Sequence, residues 1–178
     1  LLNTLNLLKI MKLKYIIMLF TKLYNIAQHV FDEMGPCHSE FIYHRAFEAE
    51  LRAQNIRYET EKRVTISYTD STGITHTLAD ERIDLYVYTK EGPIILELKA
   101  VVNPPRECEI SQIYKYSREL NKINSAKQKS GILINFPQAG TKIARKSIDF
   151  ILLDLEKEII INNTKREDEI CINLESEL

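Results

Sequence analysis

Between Ile94 and Ala100 the chain reads Ile-Ile-Leu-Glu-Leu-Lys-Ala, and this run restricts the fold more than any other. Successive side chains of a strand turn to opposite faces. Ile94, Leu96, Leu98 and Ala100 therefore face one way, while Glu97 and Lys99 face the other. The apolar, β-branched composition predicts a strand with a buried face. Charged groups on such a strand are costly unless they are paired or bound to a metal. The run thus fixes a carboxylate and an ammonium side by side where the chain needs a reason to keep them.

The flanking sequence supplies the rest of a layered domain. From Thr21 to Met34 apolar residues recur at Leu23, Ile26, Ala27, Val30, Phe31 and Met34, the spacing of a helix with one buried stripe. Gly35-Pro36 ends it. Ser39 can cap a second helix to about Asn55, with Tyr43, Phe47 and Leu51 along one face. Val64, Ile66 and Tyr68 then alternate with polar residues, predicting a strand. Turn residues Asp70 to Gly73 lead into a second strand over about Ile74–Tyr88. Lys90 to Pro93 make the turn before the third strand, Ile94–Val101, and Pro104-Pro105 break it. A helix over about Arg106–Lys122 follows, then strands at Gly131–Phe136 and Ile148–Leu155. The order ααβββαββ predicts a mixed sheet flanked by helices, in the α/β (α+β) class. Residues 21–155 read as one domain, 1–20 as an apolar N-terminal extension and 156–178 as an acidic C-terminal tail.

At 178 residues the chain is long enough for one real core. Lys9, Lys12 and Lys14 interrupt the apolar start, leaving a run too short for a membrane span and followed by no small-residue cleavage site. Met11 or Met18 is expected as the natural start. The three cysteines, Cys37, Cys108 and Cys171, are dispersed and odd in number. That disfavours a disulfide framework or zinc site and suggests a reducing, cytoplasmic setting. Net charge is −1, but residues 99–146 carry a net of +7 and residues 147–178 a net of −6. A basic middle can attract a polyanion, although solvated helix faces would give the same pattern.

Asp84 lies on the strand before Glu97 and Lys99, so the three can converge. Two carboxylates can bind a divalent cation that prefers oxygen. Such a cation lowers the pKa of its water and stabilises charge on a phosphoryl oxygen, and a neighbouring lysine can support the attack. A Glu–Lys pair on a strand surface would leave the same three-residue trace, so the pattern needs context.

That context is a series of ordered motifs. Gly35-Pro36-Cys37-His38-Ser39-Glu40-Phe41-Ile42-Tyr43 resembles the signature of the GxxExxY family, a branch of the PD-(D/E)XK nuclease superfamily. Arg82-Ile83-Asp84-Leu85-Tyr86-Val87, Glu97-Leu98-Lys99-Ala100, Gln112 to Tyr116 and Gly131 to Phe136 follow in the family's order. The resemblance covers about residues 21–150. It implies a restriction-endonuclease-like fold and a Mg²⁺- or Mn²⁺-dependent nuclease acting on nucleic acid, DNA in preference to RNA. By the same resemblance Asp84 and Glu97 would bind the metal and Lys99 would be the catalytic lysine. Glu40 would help hold the metal or its water, and Gln112 would be an accessory polar residue near the substrate phosphate. Lys115, Arg118 and Lys122, on the helix of Gln112, would contact nucleic acid. A homodimer would suit cutting two strands. A silent nucleic-acid- or protein-binding module on the same fold is the alternative. The family's usual glycine is Cys37 here. If the position needs φ > 0, cysteine is strained, and a local backbone adjustment is expected.

Without the resemblance these residues have simpler roles. Glu40 could serve the helix dipole, Tyr43 the core and Gln112 a local bridge. Arg82 could pair with Asp80 or Glu81. His38 and His44 are poor candidates for a metal that prefers oxygen.

Overall fold

A computed structural model describes residues 2–123, 127–139 and 147–164 of the chain. Helix α1 (Leu2–Met34) and helix α2 (Glu40–Ala53) come first, followed by β1 (Tyr58–Thr69), β2 (Thr75–Val87) and β3 (Ile94–Lys99). Helix α3 (Glu107–Ile123) then leads to β4 (Ser130–Asn135), β5 (Asp149–Asp154) and β6 (Ile159–Thr164). The strands form a single sheet in sequence order. Only β3 and β4 pair in parallel, joined across α3, and every other neighbour is antiparallel. A parallel pair requires such a crossover. The result is the expected mixed sheet flanked by helices.

Both faces of the sheet are covered. On one, Leu23, Ala27, Val30 and Phe31 of α1 and Tyr43, Phe47 and Leu51 of α2 pack on Leu96, Leu98, Ile132, Ile134 and Phe150. On the other, Ile113, Tyr116 and Leu120 of α3 pack on Ile95, Leu133, Ile151 and Leu153. Alternation along β3 sorts its side chains between these layers, with Ile94, Leu96 and Leu98 in the first and Ile95 in the second. Gly131 permits the close approach of α3. A Cβ there would stand 2.7 Å from Ile113 Cγ2.

Three elements differ from the sequence expectations. Helix α1 begins at Leu2 instead of near Thr21, and Ile16, Ile17 and Leu19 already pack against the core. β6 lies in the segment expected to be tail, paired to β5 from Phe150↔Thr164 to Asp154↔Ile159. Ser39 takes the N-cap position, but its side chain makes no capping hydrogen bond. Residues 165–178, with Cys171, lie outside the described residues, as do 140–146 of the basic segment. No helix among the described residues is long and apolar enough to cross a membrane.

The bend between α1 and α2 fixes where α2 starts. Gly35 has φ +68° and closes α1 through its N–H to Phe31 O. Cys37 has φ +77°, so the expected backbone adjustment does not occur: the cysteine itself adopts the left-handed conformation. Its N–H donates to Gln138 Oε1 at 2.9 Å. The Tyr43 hydroxyl donates to Gly35 O at 2.6 Å, and its ring stacks on Phe136, centroids 4.4 Å apart. These contacts over-determine the bend, which is how a strained residue persists.

Candidate active site

The site forms where two strands part. β2 and β3 pair only at Val87↔Ile94, Tyr86↔Ile95 and Leu85↔Leu96. β3 continues along β4 as far as Lys99↔Asn135. Glu97, Leu98 and Lys99 therefore have a strand neighbour on one side only. On the open side the Asp84 carboxylate replaces the missing ladder, its Oδ2 accepting the Leu98 N–H at 2.8 Å. Opposite Asp84 on β1, Glu61 has φ +52°, and no Glu61–Asp84 pair joins the register. The phase of β2 reverses there too, since Ile83 and Tyr86 enter the same core layer although three residues apart. A positive φ inside a strand is the mark of a local kink, and here it re-aims the strand at Asp84.

Five side chains meet at the end of β3. Lys99 Nζ donates to Glu97 Oε1 at 3.0 Å and stands 3.9 Å from Glu40 Oε2 at the first turn of α2. Gln112 Nε2, from α3, donates to the same Glu97 Oε1 at 2.8 Å and lies 2.7 Å from the Tyr116 hydroxyl. Glu97 is 2% exposed. Its other oxygen, Oε2, is buried and has no hydrogen-bond partner. Such an atom bears an uncompensated desolvation cost.

Electrostatics follow from this crowding. Burial, reinforced by the charge of Asp84 and opposed by Lys99, pushes the Glu97 carboxyl up to about 7. Burial also raises Asp84 and Glu40. For Lys99, burial acts downward but the charges of Glu97, Glu40 and Asp84 outweigh it, so its pKa rises. Three carboxylates against one ammonium leave, formally, two surplus negative charges. A divalent cation carries the complementary charge.

A family model of the PD-(D/E)XK nuclease superfamily matches residues 18–164. The chain belongs to this superfamily. Among curated proteins none matches it. Among solved structures it is similar to the crystal structure of SSO0001, at 22% identity and a TM-score of 0.45, over 76% of this chain and 56% of that one. The chain thus spans little more than half the length of that protein.

Members of the superfamily typically use a divalent metal. The orphaned Glu97 Oε2 and the all-oxygen donor set fit a hard cation. Among the described residues no cluster of three or more His, Cys, Asp and Glu side chains could hold a metal by itself. The Lys99 ammonium lies 3.0 Å from Glu97 Oε1 and 3.9 Å from Glu40 Oε2. Mg²⁺ does not need a closed cage, since it binds through one or two carboxylates and keeps several waters.

The structure gathers Asp84, Glu97, Lys99, Glu40 and Gln112 around one point. The basic residues of α3 point elsewhere, each held by a carboxylate. Lys115 meets Glu81 at 2.6 Å, Arg118 meets Glu158 at 2.9 Å, and Lys122 meets Glu119 at 2.7 Å. Arg82 pairs with neither Asp80 nor Glu81. Its nearest partner is Glu61 across the hairpin, at 3.6 Å, because Asp80 is engaged by Arg63 and Glu81 by Lys115.

Other participants are not evident from the sequence. His44 Nε2 lies 3.1 Å from Asp84 O, and its Nδ1 lies 3.2 Å from Glu48 Oε1. A carbonyl can only accept, so Nε2 carries the proton of the first contact. Asn135 is fully buried and clamps the loop after β3. Its Oδ1 accepts the Val101 N–H at 2.9 Å, and its Nδ2 donates to Val101 O and Asp149 Oδ2. The i, i+4 spacing of His44 and Glu48 was visible in the sequence, but it matches any helix-surface pair.

Proposed function

We propose that the chain is a Mg²⁺- or Mn²⁺-dependent nuclease that hydrolyses phosphodiester bonds, with DNA favoured over RNA. The observation that carries this reading is the buried, unpartnered Glu97 Oε2 beside Asp84 and Lys99. Asp84 and Glu97 would hold the cation, and Glu40 would hold one of its waters. When bound, the cation supplies Lewis-acid stabilisation of the phosphoryl oxygens and a more acidic water.

The remaining work falls to the protein's own groups. Lys99, kept charged by three carboxylates, orients the attacking water and stabilises the charge that develops on the phosphorus oxygens. Gln112 fixes the Glu97 rotamer through its 2.8 Å hydrogen bond to Oε1, leaving Oε2 as the oxygen that would be free to bind the cation. Asp84 is held in place through Leu98 N–H and, on its backbone side, through His44. Lys115 and Arg118 would exchange surface carboxylates for phosphates, a modest cost because exposed ion pairs are weak, whereas Lys122 would reach a phosphate while still paired with the buried Glu119.

The test is cleavage of labelled single- and double-stranded DNA and RNA in Mg²⁺, Mn²⁺ or EDTA, beside Glu97→Ala. Metal-dependent cleavage by the wild type alone supports the reading. Salt-sensitive binding without turnover, unchanged by the substitution, would replace it with a silent binding module.

A further inference from the structure

An open pocket of about 410 Å³ adjoins the site, lined by Glu40, Phe41, His44, Arg45, Thr60, Glu61, Arg82 and Asp84. Its size lies in the range of small-ligand pockets. It shares Glu40 and Asp84 with the active site, so an occupant would lie directly beside the reacting phosphate. Neither Phe41 nor Arg82 has a task in the chemistry described above.

Phe41 is 63% exposed, although it follows Glu40 on a well-packed helix. The Arg45 guanidinium lies over its ring, 5.2 Å from the centroid. Aromatic rings and guanidinium planes are the two surfaces on which unstacked bases are held. Glu61 and Asp84 line the same pocket and disfavour entry of a phosphate. Glu61 can accept hydrogen bonds from the exocyclic amino group of a neutral base, while Asp84 is engaged by the Leu98 N–H. Arg82, its side chain 70% exposed, is paired with Glu61 only at 3.6 Å, an exposed and weak contact, and can exchange it for the adjoining phosphate.

We propose that this pocket takes one unpaired nucleotide base beside the scissile phosphate, which makes single-stranded nucleic acid the preferred substrate. A base within a duplex is buried in the stack and must be unpaired and unstacked, at a cost, to enter such a pocket. A single strand incurs little of that cost. The proposal rests on the nuclease reading for its position beside the reacting phosphate, but base binding itself can be measured separately.

The experiment uses the full chain carrying Glu97→Ala, so that nothing is cut, with and without Phe41→Ala. Fluorescence anisotropy gives affinities for a labelled single strand, the same sequence as a duplex, and a matched abasic strand. The expected result is single strand over both competitors by about tenfold or more, with Phe41→Ala removing about tenfold and abolishing the advantage over the abasic strand. Quenching of 2-aminopurine in the strand on binding, lost in Phe41→Ala, separates stacking from a folding defect. Equal affinity for duplex and single strand, or indifference to Phe41→Ala, would overturn the pocket. Cleavage by the wild type is scored in parallel. Binding with this pattern but no metal-dependent cleavage would sink the nuclease reading and leave the pocket standing, whereas metal-dependent cleavage without this pattern would sink the pocket and leave the nuclease reading standing.

Discussion

Glu97 occupies an electrostatically unfavourable position. A carboxyl raised from 4.5 to about 7 costs the folded state whenever it is ionised. Between those two values the native state binds more protons than the unfolded chain, so the stabilisation is fully present below about 4.5 and lost as pH rises through about 7. Metal-free protein should therefore melt at lower temperature at pH 8 than at pH 5, with Mg²⁺ recovering much of the loss at pH 8. Glu97→Gln should flatten that profile, and thermal melts across pH with and without Mg²⁺ would show it. Lys99→Ala should lower the cleavage rate by about 10²–10³-fold while leaving the fold intact, read in single-turnover assays. Cys37 presents the opposite case, since its strain lies in the backbone. Cys37→Gly should raise stability by up to about 1 kcal/mol in denaturant titrations, because a side chain in the left-handed region costs roughly 1–2 kcal/mol and glycine returns part of that gain as entropy. Glu97 and Lys99 were legible in the sequence because alternation on an apolar strand leaves two charges nowhere to hide. His44 and Glu48 were not, because their spacing also describes a solvent-facing pair, and only the fold brings Asp84 O to His44. The partner of Arg82 was missed for a similar reason, since Glu61 becomes its neighbour only through the hairpin register.

At the scale of elements, the site depends on how β2, β3 and α3 meet. β2 leaves β3 after Leu85↔Leu96, which exposes the Leu98 N–H that Asp84 takes. α3 lies close enough for Gln112 to reach Glu97 because Gly131 offers no side chain against Ile113. Gly131→Ala should destabilise the fold by about 1–3 kcal/mol through overpacking and reduce cleavage by displacing Gln112. Adding Ile113→Leu, which lacks the clashing Cγ2, should recover part of both losses, and a double-mutant cycle in stability and rate would measure the coupling. Most of these elements could be read from periodicity and from Gly–Pro punctuation, with ends off by a few residues. β6 escaped notice because three consecutive isoleucines, Ile159 to Ile161, sit among acidic residues that suggest a tail. The parting of β2 from β3 also left no trace in the pattern, since register is decided between strands and not within one.

Across the whole molecule, three of the basic residues in the middle of the chain, Lys115, Arg118 and Lys122, form ion pairs along α3. If phosphates replace those partners, Arg118→Ala should weaken nucleic-acid binding about uniformly across sequences and lower the slope of log affinity against log salt by about one. Titrations at several salt concentrations would test that. The central claim remains the cation site, in which a buried oxygen with no protein partner is completed by a divalent ion. The most direct measurement is calorimetric titration of Mn²⁺ into the wild type, Asp84→Asn and Glu97→Gln near neutral pH. Saturable binding in the wild type, weakened at least tenfold in each variant, is the predicted result. No binding in the wild type, or binding undiminished in both variants, would contradict it.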